Sequence, residues 1–501
     1  MDDMQDRMEE TVQEEQEMVA AETGNGAAVS PVRKRLPVMV VPALIALAVM
    51  LYVFFVTARS SLHQFSIMNG LTDGEYVGLA NYGTAVYYTG VFSYVWGSLV
   101  TRLLVLVVCG LLAAGMCALY RCMKKPSVVL WVACLWLVPA AVPTAVLAHA
   151  GYWFLSSLWV NNNAMVYLLG SGLQTLGLFC FVCGLFAYFR KNPFAGLPVV
   201  ALVWLLGILT TNAVYPGFTS ANFSLRTLEH LNINKLRDLG FDSGNAAVVI
   251  KILLQVLVGI IPVAVLVRMM SKDKGTAASG LEKTARWEWL LFPLAVGCFA
   301  LIFLLQLTFA VDDYWLKRFL NSLILALAGG GFGGIVAWSF VRLLRGSSAP
   351  VFGVTSVMLS AAVSSLLVLY LLFMRFAMSN KMASQVLLAA FDWRMIFLMI
   401  SLGYILRSAR ESHPLCLVLS LMLLTGAFTW ANLIHSLIFE APYNQTIGSA
   451  FINMIKVVKR NPASQTTCTL LTVIPPVILG LGGALLMRRA LHQGDGSPGV
   501  L

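Results

Sequence analysis

Charge is what this sequence has least of. Only 11% of its 501 residues are charged while 59% are hydrophobic, where a soluble domain carries about a quarter charged residues. The scarcity is most complete for acids inside apolar runs: Asp312, Asp313, Asp392, Glu288 and Glu440 all fall at or near the ends of such runs. A carrier that holds a proton or sodium ion usually needs an ionisable group deep in the membrane, so proton-coupled transport is disfavoured. No G-x-x-x-x-G-K-[ST] phosphate loop occurs, and no polar segment is large enough for a nucleotide-binding domain, which excludes ATP hydrolysis by the chain itself. The six histidines are scattered, and no Ser/His/Asp or metal-spaced cluster can be assembled. The sequence therefore predicts neither an enzyme nor a cofactor. Nine cysteines do not form a disulfide framework. Most sit in apolar runs, where cysteine acts as a small hydrophobe, and Cys180-x-x-Cys183 lacks the second pair or nearby histidines of a metal site.

What is present is apolar chain in lengths that cross a bilayer. The mean hydropathy is +0.80, and runs of about twenty residues recur from Leu36 to Met487. Backbone polar groups must be paired inside lipid, so these runs are helices. Twelve spans are expected, at 37–57, 98–120, 127–149, 172–189, 198–215 and 246–268, then 287–310, 320–343, 351–375, 391–407, 414–435 and 466–487. The expected fold class is an all-α polytopic membrane protein.

The net charge of +11 does not indicate nucleic-acid binding. Nine of the 23 acids, from Asp2 to Glu22, crowd the start of the chain. The remaining basic residues cluster at alternate span ends: Arg33/Lys34/Arg35, Arg121/Lys124/Lys125, Arg190/Lys191, Arg268/Lys272/Lys274, Lys283/Arg286, Arg342/Arg345, Arg407/Arg410 and Arg488/Arg489. Basic residues mark the cytoplasmic side, so both termini are expected inside. The first apolar run follows Arg33–Arg35 without the pattern of a cleavable signal. The polar stretch Ser271–Glu282 reads as a cytoplasmic linker between two sets of six spans. Gly329-Gly330-Gly331-Phe332-Gly333-Gly334 lies within a span and lacks a following lysine. It predicts close helix–helix approach, not a phosphate cradle.

Several stretches resemble the permease subunits of binding-protein-dependent ATP-binding-cassette (ABC) sugar importers of the maltose type. Tyr76-Val77-Gly78-Leu79-Ala80-Asn81-Tyr82 with Phe92 is similar to that family's "GLxNY…F" segment. Val138-Pro139-Ala140-Ala141-Val142-Pro143 followed by Gly151-Tyr152-Trp153-Phe154 resembles its third span, and Thr227-Leu228 with Leu239–Ala247 its entry to the last span. In the second half, Phe319–Ala326 resembles the partner permease's "xxNSLxxA" span. Gly426–Asn432 with Leu437-Ile438-Phe439 resembles its "GSWNDFLWPLIF" segment, and Ala463–Ala490 its closing helix.

The resemblance implies two permeases fused in one chain. Residues 1–35 would be an acidic cytoplasmic tail, 36–270 a first permease-like domain, 271–286 a linker, 287–490 a second permease-like domain and 491–501 a C-terminal tail. It further implies a bacterial cytoplasmic (inner) membrane location, separate ATP-binding subunits, an extracytoplasmic solute-binding protein, and a carbohydrate or related small solute. Thr210, Thr211, Asn212, Asn321, Trp430, Asn432 and His435 are candidates to face a solute path. Arg190, Lys191, Asn192 and Pro193, with Arg407, Arg410, Glu411 and His413, are the candidate ATPase-facing loops. One departure is clear. These loops are short and lack the "EAA…G" coupling signature, so a permease-fold subunit with a scaffolding role and no ATP-coupled transport is the alternative.

Overall fold

The computed structural model describes residues 40–64, 74–144, 163–209, 241–272, 286–305, 314–362, 381–409, 411–431, 446–456 and 462–493, with a few isolated positions between them. The acidic tail and nearly all of the linker lie outside the described residues. Among those described, the chain is helical, and a single bridge between His63 and Tyr76 is its one β-type pairing. We number the helices α1 (Val41–Ser60), α2 (Val91–Cys122), α3 (Pro126–Ala141), α4 (Asn163–Arg190), α5 (Gly196–Leu206), α6 (Phe241–Lys272) and α7 (Leu291–Leu305). Then follow α8 (Tyr314–Gly346), α9 (Ala349–Ala362), α10 (Lys381–Leu388), α11 (Trp393–Ile405), α12 (Pro414–Ala431), α13 (Ile447–Lys456) and α14 (Pro462–Leu491).

The protein is an all-α membrane protein. Six described helices (α1, α2, α4, α6, α8 and α14) are long and apolar enough to cross a membrane. A seventh candidate is the bent pair Gln385–Phe391 and Trp393–Ile405, whose two parts meet at 42°. Each of the twelve runs expected from the sequence contains a described helix, but α3, α5, α7, α9 and α12 are too short to qualify. A helix of fourteen residues is about 21 Å long against a hydrocarbon core of about 30 Å. The residues just beyond α7, α9 and α12 lie outside those described, while α3 ends where Val142 turns extended before Pro143.

Burial sorts the long helices into inner and outer. The most apolar stretches of α8 and α4 are 83% and 72% buried, whereas those of α1, α2, α6 and α14 are only 28–39% buried. The outer helices expose leucine, isoleucine and valine, as at Leu111 on α2 and Ile261 on α6. Such a surface belongs against lipid.

Helix α8 earns its central place through the glycine run, which does what its sequence predicts. A Cβ on Gly330 would lie 2.7 Å from the Met422 carbonyl oxygen of α12, and one on Gly334 only 2.4 Å from the Met422 Cα. Gly333 faces Thr425 of α12 and the Ala390 nitrogen, and Gly331 faces Cys298 of α7. Consecutive glycines thus admit neighbours on several sides of one helix. Apolar side chains gain nothing by leaving lipid for another apolar surface, so packing at this distance is what holds the helices together.

Replacing Gly334 by leucine should force α8 and α12 apart and destabilise the fold by at least about 1–3 kcal/mol. Gly297→Ala, at a site with nothing within 4 Å of the added Cβ, should stay within about 0.5 kcal/mol of wild type. Thermal unfolding of detergent-solubilised protein distinguishes the two; similar losses for both would refute the packing argument.

Candidate functional site

The bend before α11 carries a buried ion pair. Asp392 and Arg394 are 6% and 3% exposed. The Arg394 Nε and Nη2 each donate to a different Asp392 carboxylate oxygen at 2.8 Å. The backbone N–H of Arg394 donates to Oδ1 at 2.9 Å, which makes Asp392 the N-cap of α11. The remaining donors reach other helices: Nη1 to the Ala140 carbonyl at 3.2 Å and Nη2 to the Phe428 carbonyl at 3.0 Å.

Ala140 and Phe428 lie in the last turns of α3 and α12, where helix carbonyls lack an intrahelical partner. The anion therefore sits at a positive helix N-terminus and the cation at two negative C-termini. Both charges are matched twice, by each other and by backbone dipoles. The Pro139-x-x-x-Pro143 stretch explains the α3 side. Pro143 has no N–H to continue the helix, and the freed chain is held by Gln174 of α4. Its Nε2 donates to the Val142 carbonyl, and its Oε1 accepts from Thr144 Oγ1 at 2.8 Å.

A second buried cation faces the ring of Trp393, the residue between the two. Arg102 of α2 is 3% exposed, and its guanidinium carbon lies 3.2 Å from the centroid of the Trp204 ring and 5.6 Å from that of Trp393. Trp204 Nε1 donates to the Arg102 carbonyl at 3.0 Å. The two indoles meet edge to face at 5.5 Å, and Phe179 of α4 packs on Trp204 at the same separation. Next to the guanidinium is a cavity of ≈ 20 Å³, walled by residues of α2, α5, α9 and α11 and by Gly207 just past α5. That is room for one water-sized species, not for a sugar. Lys251 of α6 is fully buried as well.

The expected solute-path residues divide in two. Thr210, Thr211, Asn212, Asn432 and His435 lie outside the described residues. Asn321 is half-buried on α8. Trp430 of α12 is buried and meets Phe319 of α8 edge to face at 5.5 Å, so Trp430 is brought to the turn of α8 that carries Asn321. Among the described residues, the Trp430 Nε1 and both amide atoms of the buried Gln385 find no hydrogen-bond partner.

The candidate ATPase-facing residues also have definite places. Arg190 Nη2 donates to Ser408 Oγ at 2.9 Å and lies over Phe186 and Tyr404, which brings the two short loops together. Lys191 is exposed with φ of 52°, Asn192 is extended, and buried Pro193 begins a 3-10 turn. Arg407 donates to the Ser347 carbonyl at 2.5 Å. Glu411 pairs with Arg345. The backbone of His413 donates to the Ala490 carbonyl at 3.4 Å. Arg410 lies outside the described residues. In the first motif, Asn81 Nδ2 donates to the Ser61 and His63 carbonyls at 3.0 and 2.9 Å, clamping the chain leaving α1 onto the approach to α2. Its role is architectural.

Two expectations change. Asp392 does stand at a helix end, as the N-cap of α11, but it is buried at a bend and paired instead of solvated. Arg102, Lys251 and Arg394 are missed by an inventory restricted to acids. Their signal is a lone basic residue in an apolar run, as in Leu99-Val100-Thr101-Arg102-Leu103-Leu104. No family model, curated protein or solved structure compared with the chain matches it.

Removing Asp392 alone strands a buried guanidinium, so Asp392→Ala should destabilise the protein by about 3–5 kcal/mol. The Asp392→Ala/Arg394→Ala double variant should lose much less than the sum of the two single losses. Additive losses in chemical unfolding would show that the pair does not act as a unit.

Proposed function

We propose that this chain is the transmembrane permease component of an ABC-type importer for a carbohydrate or related small solute. In this reading it is two fused six-helix halves in the cytoplasmic membrane, with both termini inside. Separate subunits supply ATP hydrolysis, and an extracytoplasmic binding protein delivers the solute.

The observation that carries the reading is a repeated pattern of helix neighbours. In the first half α2 packs on α4 and α5, α3 on α4, and α5 on α6. In the second, α8 packs on α11 and α12, α9 on α11, and α12 on α14. The exchange between halves is reciprocal: α6 meets α9, while α14 meets α3. These shared neighbours support two halves facing each other, the arrangement in which parallel repeats line a central path. Trp430, with its unpartnered indole N–H, supplies the apolar face and donor that suit stacking on a sugar ring.

A second reading is a permease-fold scaffold without ATP-coupled transport, and the short loops favour it. Arg190, Arg407 and Glu411 spend their donors and acceptors on neighbouring helices. The two loops are further stitched to the C-terminal end by Ser412 Oγ donating to the His492 carbonyl at 2.7 Å and by Tyr188 against Gln493.

Affinity purification of the tagged full chain from its native membrane should recover an ATPase subunit. Vesicles containing that complex and its binding protein should take up solute only with ATP. Complexes free of any ATPase, with no flux in vesicles, would refute the importer and leave the scaffold.

A further inference from the structure

Contacts between helix ends define the face of the molecule from which the N-terminal segment departs. Helix α1 begins at Val41, and the Ala43 N–H donates to Ser339 Oγ of α8 at 3.2 Å, one turn before Arg342. On the same face Arg345 pairs with Glu411 ahead of α12, and Arg190 at the end of α4 donates to Ser408. Tyr188 meets Gln493 just past α14, and Arg121 at the end of α2 lies 5.5 Å from the ring centroid of Phe194. A Cβ on Gly353, early in α9, would stand 3.0 Å from Val267 near the end of α6. The basic ends of α2, α4, α6, α8 and α14 therefore share one face with the start of α1. We propose that the acidic segment Asp2–Glu22 docks on this basic face of its own chain.

The first observation behind the assignment is charge. Residues 2–22 hold nine acids and a single base, Arg7. Among the described residues the face carries two acids, Glu288 and Glu411, and each is already paired, with Arg342 at 2.7 Å and with Arg345. Lys124, Lys125, Lys191, Arg268, Lys272 and Arg489 are exposed there, and none stands in an ion pair. The face thus keeps a surplus of cations, and the segment supplies the acids that the helix ends lack.

The second is reach. Eighteen residues separate Glu22 from Val41, a length that extends at most about 60 Å. Helix α1 packs on α6 and α8, and packed helices are about 10 Å apart, so Arg268 and Lys272 stand one helix away. The tether also matters energetically. One exposed ion pair contributes little, but nine acids held near the face at about millimolar effective concentration can engage several cations at once. Lys191 belongs to a loop that the permease reading assigns to an ATPase, so a docked segment and that subunit would compete. The docking itself requires neither transport nor a partner.

The test uses the purified full chain, one copy per disc of zwitterionic lipid. Its counterpart is a variant with the nine acids replaced by Asn and Gln, which keeps the length of the segment. Acetylation by an amine-reactive reagent is read by mass spectrometry. Lys124, Lys125, Lys191 and Lys272 should react about threefold more slowly in the wild type, as for a tethered ligand seated about two thirds of the time. Lys317, at the other end of α8, should react equally in both. Salt at about 0.5 M, where the Debye length falls to about 4 Å, should abolish the difference. A carbodiimide should couple carboxylates of the segment to those four lysines in the wild type, a readout that needs no variant. Equal reactivity in the two proteins overturns the proposal. So does protection that appears only when phosphatidylglycerol is added, which would assign the face to anionic lipid.

Discussion

The backbone of α8 touches the backbone of α12, and much of the structure follows from that approach. Gly330, Gly334 and Gly426 leave no Cβ between the two helices where Met422 and Ala326 come closest. Helix α8 also contacts α1, α7, α9, α10, α11 and α13, so its line of glycines sets positions throughout the bundle. The end of α12, fixed in this way, presents the Phe428 carbonyl to Arg394. Packing and electrostatics are thereby joined: without the close approach, the buried guanidinium would lose one of the helix ends that stabilise it.

The interior charges are settled by different devices. Arg394 and Asp392 use each other and three helix termini. Arg102 uses the faces of aromatic rings, a cation–π arrangement whose attraction grows when water is excluded. Near the basic helix ends, Glu288 pairs with Arg342 at 2.7 Å and Glu411 pairs with Arg345. A charge in lipid is expensive, and these arrangements reduce that cost without moving the charge to water. They also make the interior directional. One cation, Arg102, borders the small cavity against α11.

Much of the scaffold was legible in the sequence because it depends on local composition. Apolar runs and the six-residue glycine-rich stretch each predict a local outcome, and a described helix lies in each run. Length was less legible. Val138–Pro143 reads as the interior of one long span, yet the extended Val142 and Pro143 end α3 there, and the freed carbonyls are taken up by Gln174 and Arg394. The motif "GLxNY" was legible as a pattern but not as a clamp. Asn81 acts on carbonyls some twenty residues earlier in the chain, and no local rule places them within its reach.

The sequence by itself determined that this is a helical membrane protein, because transfer to lipid depends on the composition of each twenty-residue stretch and little else. It also determined that one helix is narrow enough to be approached from several sides. Only the tertiary structure decided what the buried charges do. Whether Asp392 is a solvated span end or half of a locked pair depends on α3 and α12 ending beside it. Whether Arg102 is a bare cost or a cation held on ring faces depends on Trp204 and Trp393, more than a hundred residues away. Burial and pairing are properties of neighbours, and the fold chooses the neighbours.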